Sequence, residues 1–271
     1  MLRSQKDISI VIPAYNEAEK IGAALSAIQE LLCRQNRWQT YEVIVAADGC
    51  TDRTMQIVTQ RCRTFPQLRI VSYKKNQGKG CAVKTGVAIT SGALVVFMDA
   101  DLSTPATELL RLAEPIENKN ADLVIGSRRM ADSNILIRQP WHRRVMGLCL
   151  SLFTRMVLGL RLFDTQCGFK LFNGKVARSL FADMNCPHFG FDLELLYRAR
   201  RRRYRILEMG VSWRDNPSSS VRPIRDSIRV LAFACKLRLL PLSFKKKYIF
   251  RRNSFNGLSG LTIYPDSHHA K

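Results

Sequence analysis

The chain has 271 residues, 46% of them hydrophobic, with a formal net charge of +21 and a pI near 10.1. That length and apolar content exclude a disordered polypeptide and allow one large core, or one domain with an appendage. The charge calls for an acidic partner surface: nucleic acid, a phosphorylated small molecule or anionic lipid headgroups.

The first apolar run, ISIVIP (8–13), comes within seven residues of the start and leaves no room for a signal peptide's charged and apolar regions, so an unprocessed intracellular protein is expected. EAEKIGAALSAIQELLC (17–33) follows and places Ile21, Leu25, Ile28 and Leu32 on one helical face. YEVIVAA (41–47) reads as a second strand, DRTMQIVTQRC (52–62) as a helix, LRIVSY (68–73) as a third strand and GKGCAVKTGVAI (78–89) as another short helix. ALVVFMD (93–99) and ADLVIGS (121–127) complete five runs that are continuously apolar, rich in β-branched residues and bounded by turn residues, as buried parallel strands are. The alternation predicts an α/β fold with a mostly parallel sheet and flanking helices. VMGLCLSLFTRMVLGLRLF (145–163) comes nearest to a membrane span but is interrupted by Arg155 and Arg161. The eight cysteines are scattered, with no CxxC pair and no Cys/His cluster at zinc spacing, which predicts reduced thiols.

In such sheets ligands sit beyond the carboxyl ends of the strands, and the polar clusters of this sequence fall there: PAYNE (13–17), ADGCTD (47–52), NQGKG (76–80), DADLSTP (99–105) and GSRR (126–129). Any one of them could be ordinary turn chemistry; five on one sheet edge describe a pocket. Asp99 and Asp101 in DAD are costly to bring together at the end of an apolar strand unless a cation neutralises them. Hard carboxylate oxygens suit Mg2+ or Mn2+, whose octahedra are usually completed by substrate phosphates and water. Lys79 in NQGKG can approach a phosphate across glycine backbone while the following helix presents its N-terminal amides.

Taken together, PAYNE, DGCTDRT, NQGKGCAVKTG, DADLSTP, GSR, DTQCGFKLF (164–172) and FGFDLELL (189–196) resemble, in order over residues 8–225, the family 2 glycosyltransferases of GT-A fold. They are most similar to the branch that charges polyprenyl phosphates with a sugar, dolichyl-phosphate β-glucosyltransferases in particular. The resemblance implies that Pro13, Tyr15, Glu17, Ala46 and Asp48 bind the nucleoside, and that Lys79, Asp99, Ala100 and Asp101 meet the diphosphate. It implies a metal at Asp99 and Asp101, with Ser103 where mannosyl-transferring relatives often carry glutamine, and Arg128 between the donor and acceptor phosphates. An arginine suits that place because its planar fork grips phosphate in bidentate fashion. Arg138, Arg143, Arg144 and Ser133 are acceptor-side candidates. Asp192, Glu194 and Asp164 lie where the family builds the acceptor half, and the resemblance counts Asp192 with Asp99, Asp101 and Arg128 among the catalytic candidates. A phosphate monoester is already ionised near neutral pH, so a strong general base is dispensable there; Asp192 could instead hold Arg128 or a lysine, and Glu194 could cap or pair. Arg214 matches an arginine that closes over the donor, while the family's lysine position falls on Ser220, with Arg222 as a substitute.

Between residues 198 and 252, seventeen basic residues face three acidic ones. SIRVLAFACKLRLLPLSFKKKYIFRR (227–252) mixes that charge with leucine and phenylalanine and reads as an amphipathic helix on an anionic membrane surface; RNA binding is the competing account. The expected organisation is a catalytic domain over 1–225, an interfacial segment over 226–252 and a tail over 253–271 that has no strong hydrophobic period. The expected activity is inverting transfer of glucose from UDP-glucose to a polyprenyl or dolichyl phosphate at the cytoplasmic membrane face, by a peripherally attached enzyme that does not bind nucleic acid. A GDP-mannose-dependent transferase is the runner-up, and a catalytically inactive nucleotide- or nucleic-acid-binding protein the reading from a different class.

Overall fold

The computed structural model describes residues 5–185, 188, 190–216, 223–239 and 262–263. The five predicted apolar runs form β1 (Lys6–Ala14), β2 (Tyr41–Asp48), β3 (Leu68–Tyr73), β4 (Gly92–Met98) and β5 (Leu123–Ser127). Between them run α1 (Ile21–Arg34), α2 (Thr54–Cys62), α3 (Lys79–Ala88) and α4 (Glu108–Glu117). The strand runs are apolar on both faces because both faces are covered. Ile8, Ile10 and Ile12 join one buried cluster with Leu25 and Ile28 of α1 and Leu109 and Leu112 of α4. Val11, Ile44 and Val71 join a second with Ala82 and Val83 of α3. Alternation of side chains across the pleat sends each set to its own face.

The remaining described elements are β6 (Asn134–Ile137), α5 (Trp141–Leu158), β7 (Phe169–Asn173), α6 (Gly174–Ala182), α7 (Phe191–Arg201), β8 (Ile206–Gly210), β9 (Ser212–Arg214), α8 (Pro223–Leu239) and β10 (Thr262–Ile263). The main sheet has the order β10-β3-β2-β1-β4-β7-β5-β8, with β6 and β9 forming a separate parallel pair. Strands β1 to β5 and β8 run in one direction, and β7 and β10 run against them. Antiparallel pairing puts Phe169, the first residue of β7, opposite Met98, the last of β4. DTQCG therefore arrives at the same sheet edge as DAD.

The expected division between residues 225 and 226 falls within α8, and of the tail over 253–271 only Thr262–Ile263 are described, as an edge strand on β3. The helix expected over 227–252 is described as far as Leu239; residues 240–252, and Ser220 and Arg222 of the loop before α8, lie outside the described residues. No described helix is long and apolar enough to cross a membrane, and the seven described cysteines are free thiols.

Candidate active site

At the carboxyl ends of β1 and β2, the motif residues first of all hold one another. Asn16 Oδ1 accepts from the Thr51 amide at 2.8 Å, Thr54 Oγ1 accepts from the Glu17 amide at 2.8 Å, and Asp52 accepts from the amides of Ala18 and Thr54. PAYNE and DGCTDRT are thereby one clamped double loop. Gly49 takes φ +67, and a side chain there would run into the backbone of Lys75 and Asn76. Asp48 is buried; its two oxygens accept from the amides of Gln77 at 2.7 Å and Gly78 at 2.8 Å and fix the NQGKG loop. Burial pushes its carboxyl above the usual range against those two amides. Pro13 and Ala46 are register partners, with Ala46 fully buried in the core, whereas Tyr15 is 44% exposed at the rim. Glu17 is held above the usual carboxylate range chiefly by burial; Lys20 opposes this and the charges of Asp101 and Asp99 add to it.

Asp99 and Asp101 lie in a tight turn immediately after β4, in which Asp99 O accepts from the Leu102 amide and Asp101 Oδ1 from the Ser103 amide. Leu102 sits at φ +49, a left-handed conformation uncommon for leucine. Lys79 Nζ lies 2.6 Å from Asp99 Oδ1. Burial would lower the lysine's pKa, but Asp99 and Asp192 outweigh it and hold it above its ordinary value. Gly168 backs the pair, because a methyl group there would overlap Asp99 Oδ2. Among the described residues no cluster of three His, Cys, Asp or Glu side chains forms a closed metal cage. Asp99, already paired with the Lys79 ammonium, and Asp101 offer the hard carboxylate oxygens that a divalent ion such as Mg2+ or Mn2+ takes.

Across the pocket, Asp164 grips Arg128 in bidentate fashion, Nε to Oδ2 at 2.6 Å and Nη2 to Oδ1 at 2.8 Å, and also accepts from the Arg128 amide at 3.0 Å. Burial favours the neutral acid, yet the guanidinium overrides it and holds the Asp164 carboxyl well below the usual range. The Arg128 guanidinium also lies 5.3 Å from the Trp213 ring centroid. Two of its five donors are taken by Asp164, so the fork is aimed without being used up. Asp192 does not hold Arg128. It holds Lys170, Nζ to Oδ1 at 2.6 Å, while the same ammonium donates to Cys167 O at 2.6 Å. Burial pushes the Asp192 carboxyl up, opposed by Lys170 and Lys79. Glu194 pairs with Arg198 and accepts from the Asn185 amide, which makes it a brace of α7. Ser133 spends its hydroxyl on the turn after β5, donating to Ser127 O at 2.8 Å and accepting from the Met130 amide at 3.1 Å.

Two adjoining cavities complete the site. One of about 250 Å³ is lined by Lys79, Asp99, Asp101, Ser103, Arg143 and Asp192. The other, about 780 Å³, is lined by Arg128, Arg129, Arg138, Arg144 and Arg155 among apolar side chains of α5. They share Gln139, Gly147, Leu150, Gln166 and Trp213 as walls. Arg143 thus turns toward the carboxylates, whereas Arg138 and Arg144 turn toward the larger cavity. Arg214 is exposed, and its amide donates to Ser103 O at 2.9 Å, tying β9 to the turn that carries Asp101.

Sequence reasoning missed Gly168, Lys170, Gln139, Gln166 and Trp213, and left Asp164 without its partner. Gly168 stood inside a quoted motif, and its glycine was the available signal; the Asp164 to Arg128 and Lys170 to Asp192 pairs span 36 and 22 residues and have no local signature.

The Glycosyl transferase family 2 sequence model matches residues 9–181. Three similar proteins are dolichyl-phosphate beta-glucosyltransferases. That of Dictyostelium discoideum is 30% identical over 240 residues, covering 85% of this chain and 73% of the relative. The Homo sapiens protein is 31% identical over 80% of this chain and 70% of its own length, and the Saccharomyces cerevisiae protein 31% over 82% and 71%. Among solved structures, glucosyl-3-phosphoglycerate synthase of Mycobacterium tuberculosis, in complex with Mn2+, UDP and glucosyl-3-phosphoglycerate, superposes with a TM-score of 0.65 at 22% identity, covering 87% of this chain and 81% of the other. That likeness is one of fold.

Proposed function

The chain belongs to glycosyl transferase family 2, and from that premise we propose that it transfers glucose from UDP-glucose to the phosphate of a polyprenyl lipid of the dolichyl type, with inversion at the anomeric carbon. The observation that carries this reading is the adjacency of two cavities that share walls: a small one walled by carboxylates and Lys79, and a larger, apolar one flanked by arginines. The first has the chemistry of a metal-held diphosphate; the second has that of an amphiphile with an anionic head.

Asp99 and Asp101 would hold a divalent ion, Mn2+ or Mg2+, which when bound stabilises the charge of the departing diphosphate. The glycine-flanked Lys79 reaches the same phosphates. Arg128, aimed by Asp164, would stand between the donor and acceptor phosphates and lower the repulsion between two anions. The lipid phosphate oxygen forms its bond to the anomeric carbon on the face opposite UDP, and the electron pair of the breaking C–O bond leaves with the diphosphate. No proton need be removed from the nucleophile. That requirement agrees with Asp192 being committed to Lys170 at 2.6 Å, a positioning contact that ties the start of α7 to β7. The reading puts the protein at the cytoplasmic face of a membrane, held there peripherally.

The test is a panel of radiolabelled nucleotide sugars supplied with polyprenyl phosphate and scored for label extracted into organic solvent. UDP-glucose is expected to be the best donor. Preferred transfer from GDP-mannose would overturn the sugar assignment, and label that never enters the organic phase with any donor would overturn the activity.

A further inference from the structure

The two cavities have five wall residues in common: Gln139, Gly147, Leu150, Gln166 and Trp213. With the diphosphate in the smaller cavity and the acceptor phosphate in the larger, the atom that changes partners is the anomeric carbon between them. The hexose must then lie against the shared wall. Gly147, Leu150 and Trp213 make that wall chiefly apolar. Of the five shared residues, only Gln139 and Gln166 have side chains that both donate and accept hydrogen bonds.

A side-chain amide offers two N–H donors and a carbonyl with two lone pairs, so it can meet a hydroxyl in either sense without adding charge. Among the described residues neither of these two amides has a hydrogen-bond partner, and both side chains are half-buried. Their valences are therefore open toward the cavities they line. The chain holds Gln166 in place from both sides. Thr165 and Cys167 are 3% and 1% exposed, so the backbone of DTQCG is sunk on either side of the glutamine. Glu208 accepts from the amides of Phe163 and Asp164, both at 2.7 Å, and Lys170 Nζ donates to Cys167 O at 2.6 Å. Two residues before Gln166, Asp164 aims Arg128; two residues after it, Gly168 leaves room for Asp99. Gln139 comes from another part of the chain, the turn between β6 and α5, where Ile137 O accepts from the Asp215 amide at 3.1 Å. Groups fixed before the ligand arrives lose little freedom on binding it.

α5 adds Gly147, which is a poorer helix former than alanine. A Cβ there would meet only the end of the Arg129 side chain, at 3.0 Å, so no backbone neighbour requires the glycine. On the shared wall its missing side chain is room for a sugar ring.

We propose that Gln139 and Gln166 read the hydroxyls of the transferred hexose and so set which sugar the site accepts. The inference rests on the donor and acceptor assignment made above and extends it to the sugar. The carboxylates, Lys79 and the arginines answer to phosphate charge, which every nucleotide sugar shares; the two amides answer to hydroxyl positions, which differ.

The test is calorimetry on the full chain with Mn2+, comparing UDP-glucose with UDP, because the difference isolates the hexose. Gln139→Met and Gln166→Met keep the length of the side chain and remove the amide. Each is expected to weaken UDP-glucose binding about tenfold and to leave UDP binding unchanged. A series of monodeoxy UDP-glucoses then separates reading from shaping. The parent is expected to bind the analogue that lacks a read hydroxyl about tenfold more weakly than UDP-glucose, and the matching variant to bind the two alike, since that hydroxyl no longer has a partner to lose. A glutamine that merely shapes the wall would leave the parent's discrimination intact. Variants that lose UDP and UDP-glucose equally, that lose neither, or that keep the full discrimination against every deoxy donor would overturn the proposal. A parent that binds GDP-mannose in preference to UDP-glucose, with both variants weakened toward GDP-mannose and not toward GDP, would uphold the two glutamines and defeat the donor assigned above instead.

Discussion

The two halves of the site are built differently. On the donor side three acids are pinned: Asp48 by two backbone amides, Asp101 by the Ser103 amide, and Asp99 by Lys79. On the acceptor side Arg138, Arg143 and Arg144 form no ion pair with any described residue, whereas Arg128 is anchored by Asp164. A nucleotide diphosphate is a rigid ligand with many fixed contacts, for which a preorganised seat lowers the cost of binding. A lipid phosphate arrives on a flexible chain and needs charge and an apolar trough more than exact geometry. The difference predicts that donor-side substitutions act steeply and acceptor-side ones gradually.

The largest effects belong to the carboxylate turn. Asp99→Asn and Asp101→Asn are each expected to lower kcat by about 100- to 1,000-fold; Asp101→Asn is expected to keep its thermal stability, since removing one of two neighbouring charges relieves repulsion, whereas Asp99→Asn also takes the counter-charge from Lys79. Gly168→Ala, which introduces a methyl group into the space of Asp99 Oδ2, is expected to cost about 100-fold through displacement alone. Wild-type turnover in Gly168→Ala would show that Asp99 needs no fixed position.

Asp164→Asn comes next. It leaves Arg128 without its charged partner, and breaking a buried pair costs about 3–5 kcal/mol, readable as a lowered denaturant midpoint. The sign with pH follows from the direction of the shift. Asp164 is held below the usual carboxylate range, so its stabilisation is complete above the unfolded-chain value of about 4 and is lost as pH falls below it. The variant should flatten that acid limb; an unchanged limb would remove Asp164 from the account.

Smaller still, Asp48→Ala unpairs the Gln77 and Gly78 amides and is expected to destabilise the fold by about 1–3 kcal/mol while weakening UDP binding in calorimetry. Arg138→Ala is expected to leave UDP affinity intact and raise KM for the lipid phosphate about fivefold, the weight of one exposed charge contact of about 1 kcal/mol. Equal losses of UDP affinity in both variants would erase the division between the halves.

The same contrast governs what the sequence made legible. The donor half is a run of parallel strands, each followed at once by its motif, so apolar periodicity located β1 to β5 within about two residues and their polar ends located the pocket. The acceptor half is assembled by long-range pairing. β7 enters antiparallel between β4 and β5 and carries the fully buried Lys170, a residue that argues against a core strand until its partner Asp192 is known. Arg128 was legible from GSR, but Asp164 as its anchor was not. α5 looked like an interrupted span because hydropathy averages around a helix, and only the fold shows which face is left uncovered.

The central claim is that a metal-held sugar nucleotide and a lipid phosphate meet in adjoining cavities of one site. Its most direct test follows label from UDP-[14C]glucose into the organic phase with polyprenyl phosphate and Mn2+, then with excess EDTA, then with Mn2+ restored. The account predicts transfer that falls to background on chelation and returns with the metal; undiminished transfer in EDTA would contradict it.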